Sequence, residues 1–183
     1  MEYDTDDIMV SYDSLVTPGQ SIKVKLNDIN NRQVVKMRNV PNYDSSLYEC
    51  SRMMVPSRDG KTMIPCSMLW RKDMKRSGEA QHLHLYGYGS YGASMECYFS
   101  SSRLPLLDRG IIYVIAHVRG GGEMGRQWYE EPNGAKYNCK KNTFDDFVDC
   151  ARHLIDTGLT EPSKLSTEGR SAGKLIKLYD QIG

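Results

Sequence analysis

The sequence predicts an α/β fold with a mostly parallel sheet and flanking helices, preceded by a short all-β segment. Three observations predict it. From residue 50 onward, short apolar strand candidates alternate with amphipathic helix candidates. The strongest strand candidate, residues 111–118, opens with the unbroken run Ile111-Ile112-Tyr113-Val114-Ile115-Ala116, the pattern of a strand buried on both faces. The first 40 residues carry strand patterns with no helix between them.

Residues 8–16 form the first strand candidate, closed by the turn-prone Thr17-Pro18-Gly19-Gln20. Ile22, Val24 and Leu26 then alternate with Lys23 and Lys25, as in a half-buried strand. Asp28-Ile29-Asn30-Asn31 is predicted to turn the chain into a third strand at 33–38. Three strands close no core alone, so residues 1–40 need a partner surface. Residues 41–50 are polar and turn-prone and predict a linker. Residues 51–183 form the α/β unit. Strands are expected at 50–56 and 62–70, around Ser57-Arg58-Asp59-Gly60, and at 81–86. A short helix is expected at 100–109, stopped by Gly110. The clearest helix is 144–157: Phe144, Phe147, Val148, Ala151, Leu154 and Ile155 make one stripe, Thr143 is the expected N-cap with Asp146 in the capping-box position, and Gly158 ends it. A brief strand at 164–168 and an amphipathic helix at 172–182 complete the reading.

Composition excludes several classes of function. Lys and Arg total 24 and Asp and Glu 23, a net charge of +1 in 183 residues, which argues against a general nucleic-acid binder. The longest clean apolar run is six residues, far short of the ~20 a membrane-spanning helix needs. The acidic start, Met1-Glu2-Tyr3-Asp4-Thr5-Asp6-Asp7, does not read as a secretory signal. The five cysteines, at 50, 66, 97, 139 and 150, are widely spaced and include no C-x-x-C pair. They predict free thiols and a cytoplasmic location.

Three constellations bear on chemistry. Gly169-Arg170-Ser171-Ala172-Gly173 is a G-x-S-x-G sequence between a strand candidate and a helix candidate. Such an elbow presents a serine hydroxyl at a sharp turn, with small neighbours and a helix N-terminus beneath the developing negative charge. The alternative is a helix N-cap serine beside flexible glycines. Gly120, Gly122 and Gly125 fit G-x-G-x-x-G directly after a strand, with Asp145 twenty residues beyond Gly125 where a ribose-binding acid belongs. Residues 126–134 break too soon for the helix that motif should open, so a structural loop is the favoured reading and a nucleotide module the alternative. His82 and His84 share one strand face without a third metal ligand nearby, and His117 reads as a hydrogen-bonded residue ending a strand. His153 reads as a surface residue, on the polar face of the 144–157 helix beside Asp149 and Arg152. No metal or cofactor is expected.

Leu85-Tyr86-Gly87-Tyr88-Gly89-Ser90-Tyr91-Gly92, Ala116-His117-Val118-Arg119-Gly120-Gly121-Gly122-Glu123 and Gly169-Arg170-Ser171-Ala172-Gly173 together resemble the prolyl oligopeptidase family of serine peptidases, and within it the oligopeptidase B branch. The resemblance implies part of an α/β-hydrolase domain from residue 51, a hinge at 41–50, and a remnant of the last β-propeller blade at 1–40. It implies that Ser171 is the nucleophile, that the Ala172 amide and the Tyr88 hydroxyl hold the oxyanion, and that Tyr91 lines the pocket for the residue before the scissile bond. Short peptides, cut after basic residues, are the implied substrates, with no nucleic-acid or membrane partner.

The departures are equally specific. Twelve residues follow Ser171; they include Asp180 but no histidine, so the family's Ser–Asp–His order has no base in this chain. Lys174 stands where the family has glycine, and the segment after it diverges. The sequence therefore reads as a truncated chain, inactive alone, with a non-catalytic binding remnant as the competing reading.

Overall fold

The computed structural model describes residues 5–75, 78–130 and 132–171. The first element is a three-stranded antiparallel sheet in the order β1 (Asp7–Tyr12), β2 (Gln20–Lys25) and β3 (Asp28–Met37). Its turns differ from expectation. β1 stops at Tyr12, because the amide of Ser14 bonds the Thr17 carbonyl (3.1 Å) and the Ser14 hydroxyl accepts the Thr17 amide (3.0 Å). The second turn is Leu26-Asn27, two residues early, since Lys25 already pairs with Asp28. Ile8, Val10, Ile29 and Val34 are exposed on this sheet.

The main sheet has five strands in the order β4-β5-β7-β6-β8: β4 (Tyr48–Pro56), β5 (Met63–Arg71), β6 (Leu83–Gly87), β7 (Ile112–Ala116) and β8 (Leu165–Gly169). It is mixed rather than mostly parallel. β4 and β5 form a hairpin, β5 lies antiparallel to β7, and only β6 pairs in parallel, with β7 and with β8. The reason lies in the connections. Parallel neighbours need a long crossover, and residues 57–62 allow only a hairpin. The crossovers are the segment carrying α1 (Leu104–Leu107) before β7 and α2 (Lys141–Asp156) before β8.

Both faces of the sheet are covered. On one, Phe147, Cys150, Ala151 and Leu154 of α2 pack on Val55, Ile64, Leu83, Leu85, Ile112 and Val114. On the other, Leu107 packs with Leu69, Tyr113, Ile115, Tyr48 and Leu15. The predicted linker joins this second cluster: Tyr43 stacks on Tyr48 at 5.1 Å and donates its hydroxyl to the Val16 carbonyl at 2.7 Å. Residues 13–16 dock there too, with the Phe99 amide donating to Asp13 at 2.7 Å.

α2 starts at Lys141, so Thr143 is not its N-cap. Thr143 and Asp146 face inward and are buried, where the core offers them partners better than a cap. The predicted helix at 172–182, with Lys174 and Asp180, lies outside the described residues.

Candidate active site

The parallel strands β6, β7 and β8 end in register: Gly87 pairs with Ala116 on one side and with Gly169 on the other. Everything just beyond these three positions converges on one edge of the sheet. In open α/β sheets, ligands bind at the carboxyl ends of parallel strands, where the loops leave the layer. Tyr88, the loop 117–125 and Arg170-Ser171 all lie there.

Ser171 is exposed and has φ 51°, in the left-handed region that side chains avoid. A strained serine two residues past a strand is what an elbow requires, because the sharp turn lifts the hydroxyl clear of the sheet. Ala172, the expected amide donor, lies outside the described residues. Arg170 turns back on Glu168 at 2.7 Å, and that contact, despite the cost of partial burial, holds the Glu168 carboxyl below its usual range.

Tyr88 is half-buried and opens a loop with three left-handed residues, Gly89 (φ 60°), Tyr91 (φ 59°) and Gly92 (φ 65°). Tyr91 is thrown outward, 73% exposed. At Gly89 only glycine fits, for a Cβ there would lie 2.5 Å from both Thr143 Cγ2 and Val118 Cγ2. The loop is held from below. Lys140 Nζ donates to the Gly89 carbonyl, to Ser90 Oγ (2.8 Å) and to Thr143 Oγ1 (3.1 Å). Burial holds the Lys140 ammonium below its usual range. The Thr143 hydroxyl bonds the Arg119 carbonyl at 2.7 Å.

The glycines at 120–122 form the facing wall. The Gly92 amide donates to the Gly120 carbonyl at 2.9 Å, and Glu123 Oε1 accepts the Met95 amide at 2.9 Å. A Cβ on Gly120 would meet the Gly89 carbonyl, and one on Gly122 would lie 2.5 Å from the Gly92 carbonyl. These glycines let two loops touch, and no α-helix opens directly on them: residues 126–128 make one 3₁₀ turn. Asp145 sits in α2, paired with Lys141 (2.6 Å) and Arg58 (3.2 Å), not at a strand end. The fingerprint of a nucleotide site is therefore incomplete in both its helix and its acid.

A buried ion pair, which the sequence reading missed, locks the facing wall to α2. Arg119 and Asp146 are joined by Nη2–Oδ1 (2.6 Å) and Nε–Oδ2 (2.9 Å), and the Arg119 amide also donates to Oδ2 (3.0 Å). Asp146 is fully buried and Arg119 is 5% exposed. Asp59, at 2.8 Å, adds a second carboxylate. The available signal was Asp146 itself, an acid flanked by Phe144, Phe147 and Val148 on the apolar stripe.

The histidines do other work. His84 is bonded to Ser166 (2.9 Å) and Glu168 (3.1 Å). His117 is buried against Ser67 (2.9 Å) and Glu123 (3.4 Å). His153 is half-exposed on α2 and offers its carbonyl to Thr157. Among the described residues no histidine bonds Ser171, and no group of three or more His, Cys, Asp or Glu is placed to hold a metal ion. No described helix is long and apolar enough to cross a membrane.

The chain is similar to proteins of known sequence and structure. The model of the prolyl oligopeptidase family matches residues 97–178. The chain is 45% identical over 175 residues to a dipeptidyl aminopeptidase BI of Pseudoxanthomonas mexicana, covering 96% of this chain and 24% of that one. It superposes on oligopeptidase B from Leishmania major with TM-score 0.84 and 45% identity, covering 96% and 24% respectively. It superposes equally, at 46% identity and the same coverage, on the closed form of oligopeptidase B from Trypanosoma brucei with covalently bound antipain, TM-score 0.84. The chain thus spans about a quarter of the length of the relatives it matches. By sequence and by fold, these 183 residues match the prolyl oligopeptidase family.

Proposed function

We propose that this chain carries the nucleophile and oxyanion side of a serine oligopeptidase that cuts short peptides, after basic residues. One observation carries the reading: Gly87 and Gly169 pair in register, so Tyr88 and the strained Ser171 leave the same sheet edge side by side in the fold. The Ser171 hydroxyl attacks the scissile carbonyl. The Tyr88 hydroxyl and the Ala172 amide hold the oxyanion that forms. Tyr91, exposed at the tip of its loop, contacts the residue before the scissile bond. The basic preference rests on the likeness to the oligopeptidase B structures.

A serine needs a base to become a nucleophile, and no histidine follows Ser171 in the 183 residues. The base and its acid come from residues outside them. In this reading residues 51–183 are the first part of an α/β-hydrolase domain, 41–50 its hinge, and β1–β3 part of a propeller. The exposed apolar residues on β1–β3 support this assignment. The five free cysteines support a cytoplasmic site of action.

The test is labelling and turnover of the 183-residue chain beside a longer form extended to the length of its relatives. The longer form is expected to cleave an Arg- or Lys-amide and to bind a fluorophosphonate at Ser171, both abolished by Ser171→Ala. The 183-residue chain is expected to show neither. Turnover by the short chain would refute the missing base, and an active Ser171→Ala longer form would refute the nucleophile.

A further inference from the structure

The side chains of Cys97, Ser67, His117 and Glu123 form a cluster that the peptidase reading does not use. Cys97 Sγ lies 3.2 Å from Ser67 Oγ and 3.7 Å from His117 Nε2. His117 Nε2 is 2.9 Å from Ser67 Oγ, and its Nδ1 is 3.4 Å from Glu123 Oε1. On the outer side Arg52 Nη2 approaches the sulfur at 3.9 Å. An imidazole between a carboxylate and a nucleophile is the arrangement that activates thiols. Ser67 and His117 are buried while Cys97 is partly exposed, so of the two nucleophilic groups in the cluster the thiol is the more open.

We propose that Cys97 is a reactive thiol, a site of covalent modification by hydroperoxides, with His117 as its proton partner, Ser67 as a hydrogen-bond donor and Glu123 as the group that orients the imidazole. The thiolate attacks the terminal, hydroxyl-bearing oxygen of the hydroperoxide ROOH. The S–O bond forms and the O–O bond breaks. The departing RO⁻ (hydroxide where the oxidant is hydrogen peroxide) takes the proton of the His117 imidazolium and leaves as ROH, an alcohol or water. The sulfur is oxidised by two electrons to a sulfenic acid and the peroxide is reduced.

The electrostatics agree with the geometry. The bond to His117, aided by Ser67 and Arg52 and opposed by burial, draws the Cys97 thiol down to about 7. Burial alone would push His117 down, but its bonds to Cys97 and Glu123 outweigh that and hold it up at about 9. The other cysteines lack such a partner. Cys50, exposed on β4, is raised by burial and by Cys97 itself. Cys66 and Cys150 are buried against each other at 3.4 Å.

The test is iodoacetamide alkylation of the native chain against pH, read cysteine by cysteine by peptide mass spectrometry, with peroxide oxidation trapped by dimedone in parallel. At pH 7 a thiol with a pKa near 7 is about half ionised, against about 3% for an ordinary one. Its weaker intrinsic nucleophilicity takes back roughly five-fold, leaving about a three-fold advantage at pH 7 and about six-fold at pH 6. Cys97 is therefore expected to alkylate with a midpoint near pH 7, to outpace Cys50 by at least those factors, and to carry the first dimedone adduct. His117→Gln should move the midpoint above pH 8 and leave that of Cys50 in place. Failure of Cys66 and Cys150 to label reports that a variant is folded; if His117→Gln labels them, Glu123→Gln replaces it. Should both variants unfold, the comparison of Cys97 with Cys50 in the unaltered chain decides. A Cys97 midpoint equal to that of Cys50, an even spread of dimedone, or a folded variant with an unshifted midpoint overturns the proposal. None of these outcomes depends on peptidase activity, so failure here leaves the peptidase reading untouched.

Discussion

Substituting Asp146 by Asn keeps the side-chain volume and removes one charge from the best-buried ion pair in the described structure. Asp146 is fully buried, so nothing solvates what remains, and the Arg119 guanidinium is left almost without water. Breaking a buried pair from one side costs about 3–5 kcal/mol, mostly the penalty of the orphaned charge. Two features place this case at the low end. Asp59, 32% exposed, still faces Arg119 at 2.8 Å, and the carboxamide oxygen of the new side chain can still accept the Arg119 amide. The expected loss is about 3 kcal/mol, a large share of a typical 5–15 kcal/mol domain stability. With a urea m-value of ~2 kcal/mol/M, the midpoint should fall by about 1.5 M. The buried Trp70 and Trp128 provide the fluorescence signal. Asp149→Asn is the control. Its partner Arg58 is 39% exposed, and a loss of about 1 kcal/mol or less is expected. In the double variant Arg119→Met/Asp146→Asn the orphaned charge is gone, so it should be more stable than the two single losses predict by roughly 1–3 kcal/mol. An Asp146→Asn loss below 1 kcal/mol, or strict additivity in the cycle, would refute the assignment of the energy to a desolvated charge.

Two further outcomes follow from the same geometry. Gly89→Ala forces a left-handed alanine into Thr143 and Val118 and should cost about 1–3 kcal/mol by thermal unfolding, where Gly125→Ala, whose Cβ would meet nothing within 4 Å, should cost less. The Asp59 carboxyl is raised by burial but drawn down further, to about 2, by the Lys61 and Thr62 amides, the Thr62 hydroxyl and Arg119. Its folded pKa lies below the usual 3.8, so its contribution is present above about pH 4 and fades as pH falls toward 2. Asp59→Asn should flatten that part of the acid limb in a stability–pH curve, and an unchanged limb would sink the account.

Much of the site was legible because its constraints are local. The G-x-S-x-G run predicts an elbow since only small neighbours fit that turn, and the φ of 51° at Ser171 is compatible with one. The strand 112–116 followed from its apolar run, and the α2 stripe from its 3.6-residue period. Thr143 and Asp146 were misread for a related reason. Cap chemistry is scored from neighbours in sequence, whereas both side chains are satisfied by residues far along the chain: Gly89 and Arg119 for Thr143, Arg119 and Ser57 for Asp146. Strand–helix alternation predicts a mostly parallel sheet, but the short connection at 57–62 closes a hairpin and makes β4 and β5 antiparallel.

The sequence by itself determined most of the strands and the α2 stripe, the family resemblance and the G-x-S-x-G run around Ser171. Each of these is written in a few adjacent residues, in a period or in a spacing. Tertiary structure alone decided that Gly87 and Gly169 would pair and bring Tyr88 and Ser171 to one edge, that Arg119 would lock onto Asp146, and that Cys97, Ser67, His117 and Glu123 would meet. Those groups come from segments up to 82 residues apart, joined by strand register and by burial. Pairwise chemistry of that kind has no period along the chain, so it becomes visible only once the chain is folded.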